Sequence, residues 1–246
     1  MEELAQQQMS KLRNMKNELI RFSLMYKFGL DEMNTKINIL KEEFIHIHEY
    51  NPIEHTNSRL KSPESILKKM HAKNLSFSLE SIKENIKDIA GIRIVCPFIT
   101  DVYKISQIIE NQKDVELVKR KDYIKNPKPN GYQSLHLIIK IPVFMSDKVE
   151  MVFVELQIRT IAMDFWASLE HKIYYKYDKE IPERIKNDLK EAALSASELD
   201  FKMEKINNEV TTLKKRGDGE GVPIFFDETL NIPQTLIKSI FKEEEN

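Results

Sequence analysis

Three features of the sequence predict an α+β fold, a mixed β-sheet flanked by helices, with a long helix at each end. Apolar residues recur at three- and four-residue steps over about 9–50 and again over about 182–215. Between those stretches lie short runs rich in Val, Ile and Leu, the pattern of strands. Only 6 glycines among 246 residues, with 31% charged and 41% hydrophobic, describe a helix-rich globular chain. The net charge of -1 excludes a generic polyanion binder, so any basic patch has to be local. A lone Cys96 excludes an internal disulfide framework and fits a reducing compartment. No charged leader precedes an apolar stretch, and no apolar run approaches the ~18 residues of a membrane span. These observations predict a cytoplasmic protein that does not engage a membrane.

The first helix follows from Leu12, Met15, Leu19, Phe22, Tyr26, Leu30, Met33, Ile37, Leu40, Phe44 and Ile47, with a kink expected at Gly29. Asn51-Pro52 ends it, because the residue before proline is pushed out of the helical region. Ser62-Pro63-Glu64-Ser65 reads as a helix start, with Ser62 as N-cap and Pro63 in the first turn. Strands are expected at 92–98, 115–120, 135–142 and 149–159, and helices at about 101–111 and 161–177. The turn 145–148 joins the last two strands as a hairpin. The final helix carries Ile185, Leu189, Ala192, Ala196, Leu199, Met203, Ile206, Val210 and Leu213, spaced 4-3-4-3. That period implies a seam against another long helix, in the same chain or in a neighbour. The domain expected is thus 1–216, with a core over about 51–180. The Gly-Asp-Gly-Glu-Gly stretch and acidic end of 217–246 read as a mobile tail.

The strand 149–159 carries the sharpest chemical signal. Val152, Val154, Leu156 and Ile158 are all apolar, whereas the opposite face changes from Val149, Met151 and Phe153 to Glu155, Gln157 and Arg159. A half-buried acid beside an amide and a guanidinium is costly unless satisfied, although an exposed strand end with an ion pair gives the same pattern. Asp88 stands just before the strand containing Arg93, with Gly91 between. It caps a turn, or it converges with Glu155 on a divalent cation. Lys61, Ser65 and Lys69 repeat at i, i+4, i+8, one face of a helix whose first turn favours an anion; the alternative is a solvated basic face. With no P-loop or G-x-G-x-x-G present, such a helix start would be the means of gripping phosphates. The segment KDYIKNPKPNGYQ (121–133) reads as a long basic loop. Lys119, Arg120, Lys121, Lys125 and Lys128 supply charge, and Tyr132 offers a flat face for a base, unless this is a plain surface loop. His136 follows on the polar side of its strand.

Together these segments resemble the synthetase domain of the RelA/SpoT alarmone family, and within it the single-domain small alarmone synthetases of the RelP type. The resemblance rests on NPIEHTNSRLKSPESI (51–66), DIAGIRIVCPFI (88–99), KDYIKNPKPNGYQSLHLII (121–139) and VELQIRTIAMDFWASLEHKIYYK (154–176). It implies a nucleotidyltransferase-like fold and transfer of the pyrophosphate of ATP to the ribose 3′-hydroxyl of GTP or GDP, giving (p)ppGpp and AMP. It further implies that Asp88 and Glu155 hold Mg²⁺, with Glu155 also activating the hydroxyl. Arg59 and Arg93 would sandwich the adenine, and Lys61, Ser65 and Lys69 would hold the ATP phosphates. Tyr132 would stack on the guanine, with Lys121, Lys128 and His136 near the acceptor's phosphates or ribose, and with Gln157 and Asp164 completing its site. Gln133 stands where the family commonly has arginine, and Asp164 where the related RelQ type has asparagine. The absence of a His-Asp dipeptide implies no hydrolase activity. The family also suggests a homotetramer. Two rival readings are another nucleotidyltransferase that releases pyrophosphate, and a helical module making weak contact with single-stranded RNA through the basic loop.

Overall fold

The computed structural model describes residues 2–48, 50–175 and 181–217. The chain forms two compact units, Met1–Ile206 and Asn207–Asn246. In the second, the described residues are the last turns of the final helix, where the Thr211 and Thr212 hydroxyls donate to the carbonyls of Asn207 and Asn208. The tail expected from 217 onward lies outside the described residues beyond Gly217.

The first unit is built on a five-stranded sheet of β1 (His55–Leu60), β2 (Ala90–Cys96), β3 (Glu116–Asp122), β4 (Leu135–Phe144) and β5 (Val149–Thr160). Its order is β1-β2-β5-β4-β3. Only β2 and β5 run parallel; every other neighbouring pair is antiparallel. The mixed sheet expected from the sequence is thus present. β4 and β5 form the anticipated hairpin, closed where the Met145 amide donates to the Lys148 carbonyl at 2.9 Å.

The helix α1 (Glu2–Ile47) is longer than expected and stops before Asn51-Pro52. From Phe22 to Phe44 its apolar stripe is buried, with Met33 and Ile37 sealed against the sheet. Val152, Val154, Leu156 and Ile158 form the sheet side of that contact, fully buried as their even spacing demands. α1 runs through Gly29 without a break. The glycine's role is close approach: a Cβ there would lie 2.8 Å from Cγ1 of Val152. Tighter than any ordinary contact, this spacing lets the helix backbone ride directly on β5.

Two elements were not foreseen. β1 reads HTNSRL, with no alternation of polarity, because it is an exposed edge whose order comes from pairing with β2. The short α3 (Leu79–Asn85) is set by Ser78, whose side chain accepts from the Ser81 amide at 3.1 Å. α2 (Pro63–Ala72) begins as expected, with Ser62 capping the Ser65 amide at 3.3 Å and Pro63 in the first turn. α4 (Ile99–Glu110) buries Val102, Ile105 and Ile109 in the same core. α5 (Ile161–Tyr175) and α6 (Glu183–Gly217) follow β5.

The first part of α6 grips the loop before β4. Ala193 packs under Gly131, the indole of Trp166 donates to the Leu189 carbonyl at 2.8 Å, and Gln133 donates to Ser197 at 3.3 Å. Further along, Leu199, Met203 and Ile206 of the heptad seam face outward, 53%, 46% and 52% exposed. Leu12, Met15 and Leu19 at the start of α1 are similarly open. Among the described residues, these seam positions are therefore uncovered.

Candidate active site

Register alone assembles the polar face of the sheet. Paired residues on neighbouring strands project to the same side. One row therefore runs Asn57, Arg93, Gln157, His136 and Lys121 across all five strands. The adjacent row runs Arg59, Gly91, Glu155, Ile138 and Lys119. Glu155 thus sits at the centre of the face, one row from both Arg93 and His136. Lys121 belongs to β3 rather than to a loop, because the strand continues to Asp122. There the Asp122 carboxylate accepts from the amides of Ile124 and Lys125 and turns the chain out of the sheet.

Asp88 lies two residues before β2. Its Oδ2 accepts from Lys61 Nζ and Lys69 Nζ, each at 2.7 Å, so the two ends of the i, i+8 face converge on one carboxylate. Burial pushes the Asp88 carboxyl up, but the two lysine hydrogen bonds more than offset this and hold it below its ordinary value. Its other oxygen, Oδ1, is buried and without a partner. Ser65 remains exposed in the first turn of α2.

Glu155 is equally enclosed. Burial raises its carboxyl, while His136 and Gln157 lower it further than the charge of Asp88 and burial can restore, so it too lies below its usual range. Gln157 Nε2 donates to Glu155 Oε2 at 3.0 Å, and His136 Nδ1 lies 3.5 Å from Glu155 Oε1.

The orphaned Oδ1 of Asp88 and the nearby Glu155 carboxylate are hard oxygen donors of the kind Mg²⁺ prefers. Among the described residues no cluster of three or more His, Cys, Asp or Glu side chains is disposed to hold a metal. Two carboxylates leave coordination positions for phosphate oxygens and water, the usual arrangement for Mg²⁺.

Beyond Glu155 a cleft of about 360 Å³ is lined by Arg59 and Arg93 on one side and Tyr132 and Gln157 on the other. Asp164, in the first turn of α5, binds Arg93 at 3.1 Å and Arg159 at 3.2 Å through the same oxygen. The loop carrying Tyr132 is a Pro-Asn-Gly turn: the Gly131 amide donates to the Lys128 carbonyl at 2.8 Å, and Gly131 has φ 88°. Lys128 Nζ stands 4.5 Å from the Tyr132 ring centroid and 4.9 Å from that of Tyr123.

Every residue expected at the site except Ser65 and Lys121 has a described partner at, or lines, this continuous face. Gln133 does not point into the cleft; its amide is spent on Ser197 of α6. Sequence reasoning missed Arg159 as a site residue, and also Ser168 and Glu170, which line the cleft from α5. Arg159 was legible as the third polar residue after Glu155 and Gln157. Nothing in the spacing showed that it is 4% exposed and bonded to four side chains.

Known proteins share this fold. A family model described as a region found in RelA / SpoT proteins matches residues 58–180. The chain is 52% identical over 199 residues to GTP pyrophosphokinase YwaC of Bacillus subtilis, covering 81% of this chain and 93% of that one. GTP pyrophosphokinase YjbM of the same organism is 38% identical, with 77% and 89% covered. The crystal structure of small alarmone synthetase 2 from B. subtilis superposes with a TM-score of 0.70 at 51% identity, covering 76% of this chain and 96% of that one. Small alarmone synthetase 1 from B. subtilis, bound to its product pppGpp, superposes with a TM-score of 0.73 at 36% identity, with 78% and 98% covered. The same synthetase bound to AMPCPP gives 0.68 at 35% identity, with 80% and 99% covered. With the sheet, the paired carboxylates and the tyrosine loop in place, the chain belongs to the RelA/SpoT family.

Proposed function

We propose that this chain is a (p)ppGpp synthetase that transfers the β,γ-pyrophosphate of ATP to the 3′-hydroxyl of GTP or GDP and releases AMP. The observation that carries this reading is that Glu155 is hydrogen-bonded to Gln157 of a cleft also lined by Arg59, Arg93 and Tyr132, with the Asp88 carboxylate close enough for the two charges to interact. The 3′-oxygen forms a bond to the β-phosphorus as the bond from that phosphorus to the bridging oxygen on the α-phosphorus breaks. AMP leaves with the bridging oxygen, and the hydroxyl proton passes to Glu155. A carboxyl held below its usual range is ionised at neutral pH and free to accept that proton.

In this reading Arg59 and Arg93 flank the adenine, where planar guanidinium groups suit stacking. Lys61, Ser65 and Lys69 hold the ATP phosphates. Tyr132 stacks on the guanine, while Lys121, Lys128 and His136 serve the acceptor's phosphates and ribose, and Gln157 and Asp164 bound its site. Asp88 and Glu155 are the residues that would hold Mg²⁺, which neutralises phosphate charge during transfer. The outward seam of α6 and the open start of α1 support a homo-oligomer, a tetramer in the reading proposed here.

Incubation with Mg²⁺, ATP and GTP or GDP tests the reaction. Release of AMP with a guanosine 3′-diphosphate is expected, falling by roughly 10²- to 10⁴-fold in Glu155→Gln. Release of ADP or of pyrophosphate would exclude this chemistry, and running both acceptors side by side gives their preference.

A further inference from the structure

We propose that Arg159 is the positioning residue of the base, a single guanidinium that sets the polarity of two hydrogen-bond arms closing on the two oxygens of Glu155. The inference rests on the reading of Glu155 as the base. Both arms start at one nitrogen. Arg159 Nη2 donates to the Tyr132 hydroxyl at 2.6 Å and to Gln157 Oε1 at 2.8 Å.

A guanidinium has donors and no acceptor, so the direction of each arm is fixed from its origin. In the first arm the amide oxygen of Gln157 is occupied by Arg159, which turns its Nε2 toward Glu155 Oε2 at 3.0 Å. In the second arm the Tyr132 oxygen accepts from Arg159, so its own proton goes to His136 Nε2 at 2.7 Å. An Nε2 that accepts leaves the neutral imidazole protonated at Nδ1, the nitrogen 3.5 Å from Glu155 Oε1. Each carboxylate oxygen therefore meets a donor rather than a lone pair.

The hub is built to stay in place. Arg159 is 4% exposed, and two of its three remaining N–H groups donate to Ser134 Oγ at 3.4 Å and Asp164 Oδ1 at 3.2 Å. Its partners come from the loop before β4, from β5 and from α5, a spread that a planar fork can span and an ammonium cannot. Arg159 needs no contact with substrate to do this.

Two measurements on the full chain test the proposal. Imidazole ¹⁵N spectra, assigned against His136→Asn, should show the Nδ1–H tautomer for His136 in the parent. That tautomer should be lost or mixed in both Arg159→Lys and Tyr132→Phe. In turnover, Arg159→Lys should lower kcat by roughly 10- to 100-fold, the loss of charged hydrogen bonds, with KM for ATP within about twofold of the parent. Tyr132→Phe keeps the ring and breaks one arm, so its kcat should fall less. The double variant should be no worse than Arg159→Lys, because both changes cut the same arm. An Nε2–H parent, a tautomer unmoved by either variant, or effects that multiply would each overturn the proposal. A parent that releases no AMP would instead overturn the synthetase reading, and the spectra would still decide the arms. Should Arg159→Lys fail to fold, Tyr132→Phe carries both readouts.

Discussion

At the scale of single residues, burial rather than sequence position decides which charges matter. Asp200 on α6 accepts a hydrogen bond from Thr160 at 2.5 Å, while Thr160 caps the Met163 amide at 3.1 Å and so starts α5. Burial pushes the Asp200 carboxyl from 3.8 up to about 6, with the charge of Glu204 adding to the rise. The folded state therefore binds this proton more tightly than the unfolded chain. Its contribution to stability is complete below 3.8 and is lost as pH rises toward 6 and just beyond. Screened by solvent, the loss is on the order of 1–2 kcal/mol. Asp200→Asn keeps an oxygen for Thr160 and removes the charge. Its melting temperature should be flatter than the parent's between pH 4 and 7, and no lower at pH 8; a parallel pair of curves would refute this. Glu155 was readable from the alternation of β5, because a polar residue on a face that begins apolar has to be explained. Asp200 was not readable, because an acid on a long charged helix looks like any solvated residue until the facing Thr160 is known.

At the scale of elements, α6 sets the loop that carries Tyr132. Gly131 has φ 88°, and a Cβ there would lie 2.5 Å from the Cβ of Ala193. Gly131→Ala combines a left-handed backbone with a collision between two elements, a cost of roughly 2–4 kcal/mol. Its melting temperature should drop by about 5–10 °C. The displaced Tyr132 should raise KM for the guanine nucleotide more than KM for ATP; equal changes in both would show that the loop does not form the acceptor site. The sequence marked Gly131-Tyr132 as the end of a long basic loop, but not that Ala193 lies beneath it. A contact between residues 62 positions apart leaves no trace in local periodicity. The same limit hid β1, whose six residues acquire their order from pairing with β2 and from α1, where Asn34 donates to Ser58. It bears on Gly29 as well: glycine permits a bend or a close approach, and the close approach is visible only once the facing Val152 is known.

At the scale of the whole molecule, the sequence left open which helix covers the heptad seam of α6. Leu199, Met203 and Ile206 remain open because α6 spends its other face, at Leu189, Ala193 and Ser197, on the catalytic core. Light scattering at micromolar concentration should give a mass several times 29.0 kDa, four times for the tetramer. Leu199→Glu should reduce that mass, since a charge in a hydrophobic seam is costly; a monomeric parent would end this reading. The lysine pair on Asp88 bears on how the molecule meets its nucleotides. With one of the two charges of Lys61 and Lys69 already offset by the Asp88 carboxylate, a triphosphate bound there, as proposed above, would exchange one anion for another at that charge. On the proposed reading the lysines would change partners, the phosphates taking them over and Oδ2 of Asp88 being freed beside the already unpaired Oδ1.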